Sequence, residues 1–249
     1  MSIERAAELV QRANSAVVLT GAGISTPSGI PDFRSVDNGI WEKANPLEVA
    51  SLTAFRLHPE RFFAWIRPLL KECLAAAPNA AHIALSALEK AGYVKSIITQ
   101  NIDGLHQKAG SQFVYEIHGS LDTLTCVHCY RVDDAAAYIG PFITSGTIPR
   151  CPDCSHILKP DVILFEEQLP INIWQAAKKA IQNCDVLIVA GSSLEVMPVA
   201  GLPYDALSNG AKIIIVNNSP TYIDERAAFI FSNDVAEVLP AIAEAVLGH

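Results

Sequence analysis

Four cysteines fall in two C-x2-C pairs, Cys126/Cys129 and Cys151/Cys154, with 21 residues between the pairs. That spacing is close to a four-thiolate zinc site, in which sulfurs fill every tetrahedral position and the metal holds structure without meeting substrate. Such an ion closes a segment too polar and too short to fold on its own apolar burial. The other chemistry open to paired cysteines, a redox disulfide, belongs to an oxidising compartment. His128 and His156 lie beside the pairs and read as bystanders, because four thiolates already complete the tetrahedron. Cys73 and Cys184 sit in apolar, helical contexts and read as packing residues.

Other stretches carry groups that could bind a ligand or move a proton. Thr20 to Arg34 reads T-G-A-G-I-S-T-P-S-G-I-P-D-F-R, directly after the apolar run Ala16-Val17-Val18-Leu19. Glycines at Gly21 and Gly23, around Ala22, let the backbone turn tightly and bring bare N–H groups close to a pyrophosphate, so a dinucleotide is the first candidate ligand. A tight turn with no ligand is the alternative. The dehydrogenase fingerprint is incomplete: its third glycine falls on Thr26, and no strand ending in an acidic residue follows about 20 residues on. The chain runs instead into Pro31-Asp32-Phe33-Arg34, a rigid and polar loop.

Gln100-Asn101-Ile102-Asp103 offers two carboxamides and a carboxylate at a strand end, which could hydrogen-bond another carboxamide or orient a water; a self-bonded polar turn is the alternative. His118 ends a neighbouring strand, and its neutral ring can accept a hydroxyl proton near pH 7. His58, His82 and His106 fall on expected helices and read as structural. Gly191-Ser192-Ser193 and Asn217-Asn218 each follow a strongly apolar strand, where small donors suit phosphates and ribose hydroxyls, or an ordinary helix cap.

The elements that position these groups alternate. A helical period from Ser2 to Asn14, with Ser2 as its cap, feeds the strand before Gly21. Residues 35–78 are aromatic and poor in β-branched runs, and read as a helical insertion with a helix starting at His58-Pro59-Glu60. Asn79 caps a helix over Ala80 to Ala91, closed by Gly92. Strands follow at Val94–Thr99, Phe113–Ile117, Asp161–Phe165, Asp185–Ala190 and Lys212–Val216, with helices around Ile173–Gln182 and after Asp234, the last interrupted by Pro240. Alternation of this kind means an α/β fold with a doubly wound parallel sheet, whose ligands bind at the carboxyl ends of the strands.

The 249 residues carry a formal net charge of −8 with half of the residues hydrophobic. This is ordinary globular composition, long enough for a sizeable core. An acidic chain lacks the clustered Lys and Arg of a nucleic-acid surface, so no direct nucleic-acid binding is expected. Charges in Met1 to Glu8 oppose a signal peptide, and no stretch approaches the ~18 apolar residues of a membrane span. The expectation is a cytoplasmic protein without a membrane partner.

Taken together, G-A-G-I-S, G-I-P-D-F-R, T-Q-N-I-D, H-G, the two C-x-x-C pairs, L-K-P-D-V-I-L-F, G-S-S-L and the Asn after the fifth strand resemble the sirtuins, NAD-dependent protein deacylases, of bacterial type. The resemblance runs from residue 2 to about 246. It implies a Rossmann-like NAD-binding domain of residues 1–34, 79–120 and 158–249, with a smaller domain made by two insertions, 35–78 (helical) and 121–157 (zinc), and a cleft between them. Ala22, Thr26, Phe33, Arg34, Gln100, Ser192, Ser193, Asn217 and Val235 would line the NAD site. Asn101, Ile102 and Asp103 would hold the nicotinamide end, and His118 would activate a ribose hydroxyl. Val162 and Phe165 would sleeve the stem of an acetylated lysine from another protein, and the zinc would be structural.

The chain departs from the family pattern in having Phe165-Glu166-Glu167 where Phe-Gly-Glu is usual, opposite Leu194-Glu195-Val196. Those two segments would sandwich the substrate peptide as an added strand. Glu166 and Glu195 are therefore expected to favour Lys or Arg beside the acyl-lysine, with Glu166 strained if the family glycine has φ > 0. Relatives that remove succinyl or malonyl groups carry a Tyr-x-x-Arg pair. None occurs in this chain, where Ile66 and Leu69 stand at the matching positions, which predicts deacetylation.

Overall fold

The structure, a computed structural model, describes residues 2–32, 40 and 45–248. The centre is formed by β1 (Ala16–Thr20) and β7 (Val186–Ala190), buried along their whole length, and beside them β2 (Val94–Thr99) and β8 (Lys212–Val216), each buried except for one exposed lysine, Lys95 or Lys212. A strand covered on both faces needs apolar side chains at every position, because successive residues point to opposite sides. Ala16 and Val18 of β1 accordingly enter one hydrophobic cluster, and Val17 and Leu19 the other.

Two three-residue strands, β3 (Val114–Glu116) and β9 (Phe229–Phe231), complete a parallel six-stranded sheet in the order β3-β2-β1-β7-β8-β9. One face is covered by α1 (Ile3–Arg12), α5 (Ala80–Lys90) and α10 (Val235–Leu247), the other by α8 (Ile171–Asn183) and α9 (Leu202–Ser208). This is the doubly wound Rossmann-like arrangement, with its topological switch between β1 and β7. Thr20 is level with Thr99 on one side and Ala190 on the other. Gly21, Gln100 and Gly191 therefore leave the sheet side by side.

The helical insertion holds α2 (Pro46–Val49), α3 (Leu52–Leu57) and α4 (Pro59–Ala75), the last with Pro59 at its first turn as expected. Its rings pack edge to face, Phe55 on Phe62 and Phe63 on Phe142. Phe142 belongs to α7 (Ala136–Ser145) of the cysteine-bearing segment, so one cluster joins the two insertions. Beside it a three-stranded antiparallel sheet runs β5 (Val132–Asp134), β4 (Gly119–Cys126) and β6 (Leu158–Val162).

Several expectations are corrected here. The strand placed at Asp161–Phe165 in the main sheet is instead β6, paired antiparallel with β4. Its alternating burial shows a half-exposed strand of a small sheet, not a doubly covered one. Pro240 does not interrupt α10: the helix continues to Leu247, because Val238, Leu239, Ile242 and Val246 are buried on one stripe that outweighs the lost bond. Ser2 stands at the N-cap of α1 without a side-chain cap bond, whereas Asn79 and Asp234 accept from Ala81 N–H and Ala236 N–H. No helix among the described residues is long and apolar enough to cross a membrane.

Candidate active site

The glycines at the switch point are required by contact. A Cβ on Gly21 would lie 2.8 Å from the carbonyl oxygen of Gly191, and one on Gly191, whose φ is +61°, would lie 2.2 Å from Ile24 N. The turns after β1 and β7 thus touch backbone to backbone. Gly21 N–H and Gly23 N–H donate to the Ala190 and Gly191 carbonyls, at 3.2 and 2.9 Å. Those two N–H groups are bonded within the protein, and the glycines permit the close approach that lets them be.

His118 follows β3, and its Nδ1 lies 3.0 Å from the main-chain oxygen of Gln100. A carbonyl only accepts, so Nδ1 carries the hydrogen and Nε2 keeps its lone pair. Burial lowers the His118 pKa below its ordinary value, partly offset by that hydrogen bond, and the ring is neutral at pH 7. Gly119, with φ +77°, lets β4 pass β6 so closely that a Cβ there would meet the Asp161 carbonyl. Ile163 N–H then donates to the His118 carbonyl at 2.8 Å, holding the histidine's backbone from the other side.

Asn101, 8% exposed, donates through Nδ2 to the Gly21 carbonyl and to Ser25 Oγ, both at 3.1 Å. Ser25 Oγ donates in turn to Asp103 Oδ2 at 2.7 Å, while Leu105 N–H donates to Asp103 Oδ1 at 2.9 Å. Both Asp103 oxygens are thereby oriented. Ser25, buried and central here, is a functional residue whose only mark in the sequence is its place in G-A-G-I-S. Gln100 Nε2 donates to Ser192 Oγ at 2.9 Å, tying the end of β2 to the turn after β7. His82 and His106 are structural as read: Asn79 N–H donates to His82 Nδ1 at 3.4 Å, and His106 Nε2 lies 3.0 Å from Thr20 Oγ1.

One cleft of about 900 Å³ collects these groups. Gly21, Ala22, Gly23, Thr26, Asp32, Gln100, Asn101, Ile102, Asp103, His118, Gly191, Ser192, Ser193, Asn217, Asn218 and Val235 all line it, and so do Val162, Phe165, Glu166 and Glu195. Phe33 and Arg34 lie outside the described residues. Ile66 and Leu69 of α4, both buried, close an apolar end. Glu166 has φ +73°, and its Oε2 accepts from Thr53 N–H at 2.9 Å.

The profile of the Sir2 family matches residues 21–198, most of the chain and every loop that reaches the cleft between those bounds. The chain belongs to the Sir2 family. The NAD-dependent protein deacylase 2 of Archaeoglobus fulgidus is 46% identical over 245 residues, 98% of this chain and 96% of its own length. The NAD-dependent protein deacetylase of Thermotoga maritima is 38% identical over 247 residues, 98% of each chain. A solved structure from work on the mechanism and regulation of Sir2 enzymes superposes with a TM-score of 0.93 at 45% identity, covering 99% of this chain and 98% of that one. A Sir2 complex with a p53 peptide and NAD+ superposes at 0.88 with 36% identity over 98% of each chain.

In this Sir2 chain the four cysteines converge as their spacing predicted. Cys126 and Cys154 Sγ are 3.4 Å apart, Cys129 and Cys154 3.5 Å, and Cys129 and Cys151 3.6 Å. A tetrahedral zinc with Zn–S near ~2.3 Å needs sulfurs about 3.8 Å apart, so the set closes on the ion with little movement. The residue after each pair, Tyr130 or Ser155, has positive φ, and its N–H donates to the carbonyl of the first cysteine, Cys126 or Cys151. The two turns are thus alike and present their sulfurs to one point. The four thiolates fit one structural zinc, which would hold the β4–β5 turn to the loop before β6.

Proposed function

We propose that this protein is an NAD-dependent protein-lysine deacetylase, using NAD as a substrate and returning nicotinamide, free lysine and O-acetyl-ADP-ribose. The observation that carries the reading is the convergence of a neutral, carbonyl-oriented His118 with the Asn101–Ser25–Asp103 set on the same cleft, beside an apolar wall. Asn101, Ile102 and Asp103 hold the nicotinamide end, with Asp103 bonding its carboxamide. Gly21 to Thr26, Asp32 to Arg34, Gln100, Gly191 to Ser193, Asn217, Asn218 and Val235 take the rest of the dinucleotide.

The acyl oxygen of acetyl-lysine displaces nicotinamide at C1′ of the ribose. His118 Nε2 then takes the proton of a ribose hydroxyl, whose oxygen attacks the acyl carbon, and water frees the lysine. Val162 and Phe165 shield the uncharged amide stem. The chain divides into an NAD-binding unit and a small unit of two insertions, with the cleft between them. The partners are acetylated lysines of other proteins; nucleic acid is not one, at a net charge of −8. A cytoplasmic setting suits six cysteines of which none is in a disulfide.

The test is incubation with an acetyl-lysine peptide, with and without NAD, following peptide mass and nicotinamide, with His118→Ala as control. One nicotinamide per lysine freed, absent in the variant, supports the reading. Nicotinamide release that ignores the peptide would make the protein an NAD hydrolase instead.

A further inference from the structure

The two histidines beside the cysteine pairs stack on each other, ring centroids 4.1 Å apart and planes 9° from parallel. Ligand atoms of His128, Cys154 and His156 all lie within 4.8 Å of one another. His156 Nδ1 is 3.0 Å from the Cys154 carbonyl oxygen, which only accepts. Nδ1 therefore carries the hydrogen, and Nε2 is left with the lone pair a metal needs, in the carbonyl–imidazole arrangement that supports metal-bound histidines.

We propose that His128, Cys154 and His156 form a second, surface-facing site for a borderline divalent ion such as Zn2+, with the Cys154 thiolate bridging it to the structural zinc. The inference rests on the four-thiolate zinc and is independent of the deacetylase reading. Four thiolates around one Zn2+ carry a net charge of −2, and a bound thiolate still has lone pairs to offer a second cation. The carboxylates that could compete nearby are engaged, since Arg131 donates to Asp133 at 2.8 Å and to Asp153 at 2.9 and 3.0 Å.

A metal must lie near the plane of each imidazole it binds, so parallel rings cannot share an ion as they stand. The proposed site therefore requires the ring of His128, which is exposed and held among the described residues by the stack alone, to turn out of the stack. Two nitrogens and one sulfur leave the fourth position to water, which makes this the exchangeable ion of the pair, in contrast to the closed four-thiolate site.

The test titrates the zinc-loaded protein, cleared of loose metal by gel filtration, with Co2+, and reads zinc and cobalt content together with the absorption spectrum. One cobalt added per chain, one zinc retained and a thiolate-to-cobalt charge-transfer band are expected. The double variant His128→Ala/His156→Ala keeps its zinc and loses the cobalt and the band, while His58→Ala, an exposed histidine elsewhere, keeps all three. Retained zinc in the double variant shows that the first site is intact. Cobalt that replaces zinc, that binds without the band, or that binds the double variant equally well overturns the proposal.

Discussion

Glu166 Oε2 stands 2.9 Å from the main-chain N–H of Thr53, joining the loop after β6 to the first turn of α3. The same two segments meet through Phe165 N–H to the Ala50 carbonyl and Leu52 N–H to the Phe165 carbonyl, both at 2.9 Å. Glu166 is thus a tether across the mouth of the cleft, in a left-handed conformation that glycine adopts freely. Glu166→Ala keeps the strain and loses the tether, so its Tm falls below wild type. Glu166→Gly loses the tether but sheds the strain, so its Tm lies above that of the alanine variant. The hydrogen bonds from Thr53 hold the Glu166 carboxyl below its ordinary value of 4.5. A depressed pKa stabilises the fold above the unfolded value and is lost as pH falls through the folded one. The Tm gap between wild type and Glu166→Ala is therefore constant at neutral pH and closes below about pH 4.5.

His118 predicts the acidic limb of the pH–rate profile. The proposed mechanism requires its base form, and burial lowers its pKa from 6.5, so kcat/KM at limiting peptide is expected to fall only below pH 6.5. A limb above that pH would remove His118 from the role of base. His118→Ala lowers kcat by about 10²–10⁴-fold, measured as the rate at which saturating peptide is deacetylated.

His82 and His106 predict acid sensitivity of the fold itself. Burial lowers their pKa values to about 4 and about 3, and their rings lie 4.9 Å apart, so a charge on one also opposes a charge on the other. Between pH 6.5 and those values the unfolded chain binds protons that the folded one refuses, and stability falls as pH drops. The slope is about 1.4 kcal/mol per pH unit for each histidine. Urea unfolding from pH 7 to pH 5 measures it, and His106→Gln flattens the slope even where it lowers stability at pH 7.

The apolar end of the cleft predicts acyl preference. Ile66 and Leu69 offer no cation to a distal carboxylate, and an unpaired buried charge is costly. An acetylated peptide therefore turns over faster than its succinylated twin; the reverse order in a competition assay rejects this reading. Glu166 and Glu195 at the groove add a preference for Lys or Arg next to the acetyl-lysine, and equal kcat/KM for basic and acidic flanks counts against it.

What could be read in the chain was what depends on near neighbours. Proline at the start of α4, the Asn79 and Asp234 caps, the near-continuous apolar runs of β1, β7 and β8, and the two C-x2-C pairs each follow from residues a few positions apart. The site lay close to these signals because ligands meet an α/β sheet where strands end. β9 leaves no signal in the sequence because its three residues become a strand only by pairing with Ile214 to Val216. The sheet to which β6 belongs cannot be read from its own residues, because its partner, β4, is chosen by the passage at Gly119.

The sequence by itself therefore determined the chemical inventory and the order of elements, since periodicity, caps and ligand spacing are local. Only the tertiary structure decided which groups meet. The Ser25–Asp103 bond spans 78 residues, the Glu166–Thr53 tether 113, and the close approach of Gly21 to Gly191 joins the two halves of the sheet. Such contacts are set by sheet order and insertion packing, which no short window of sequence contains.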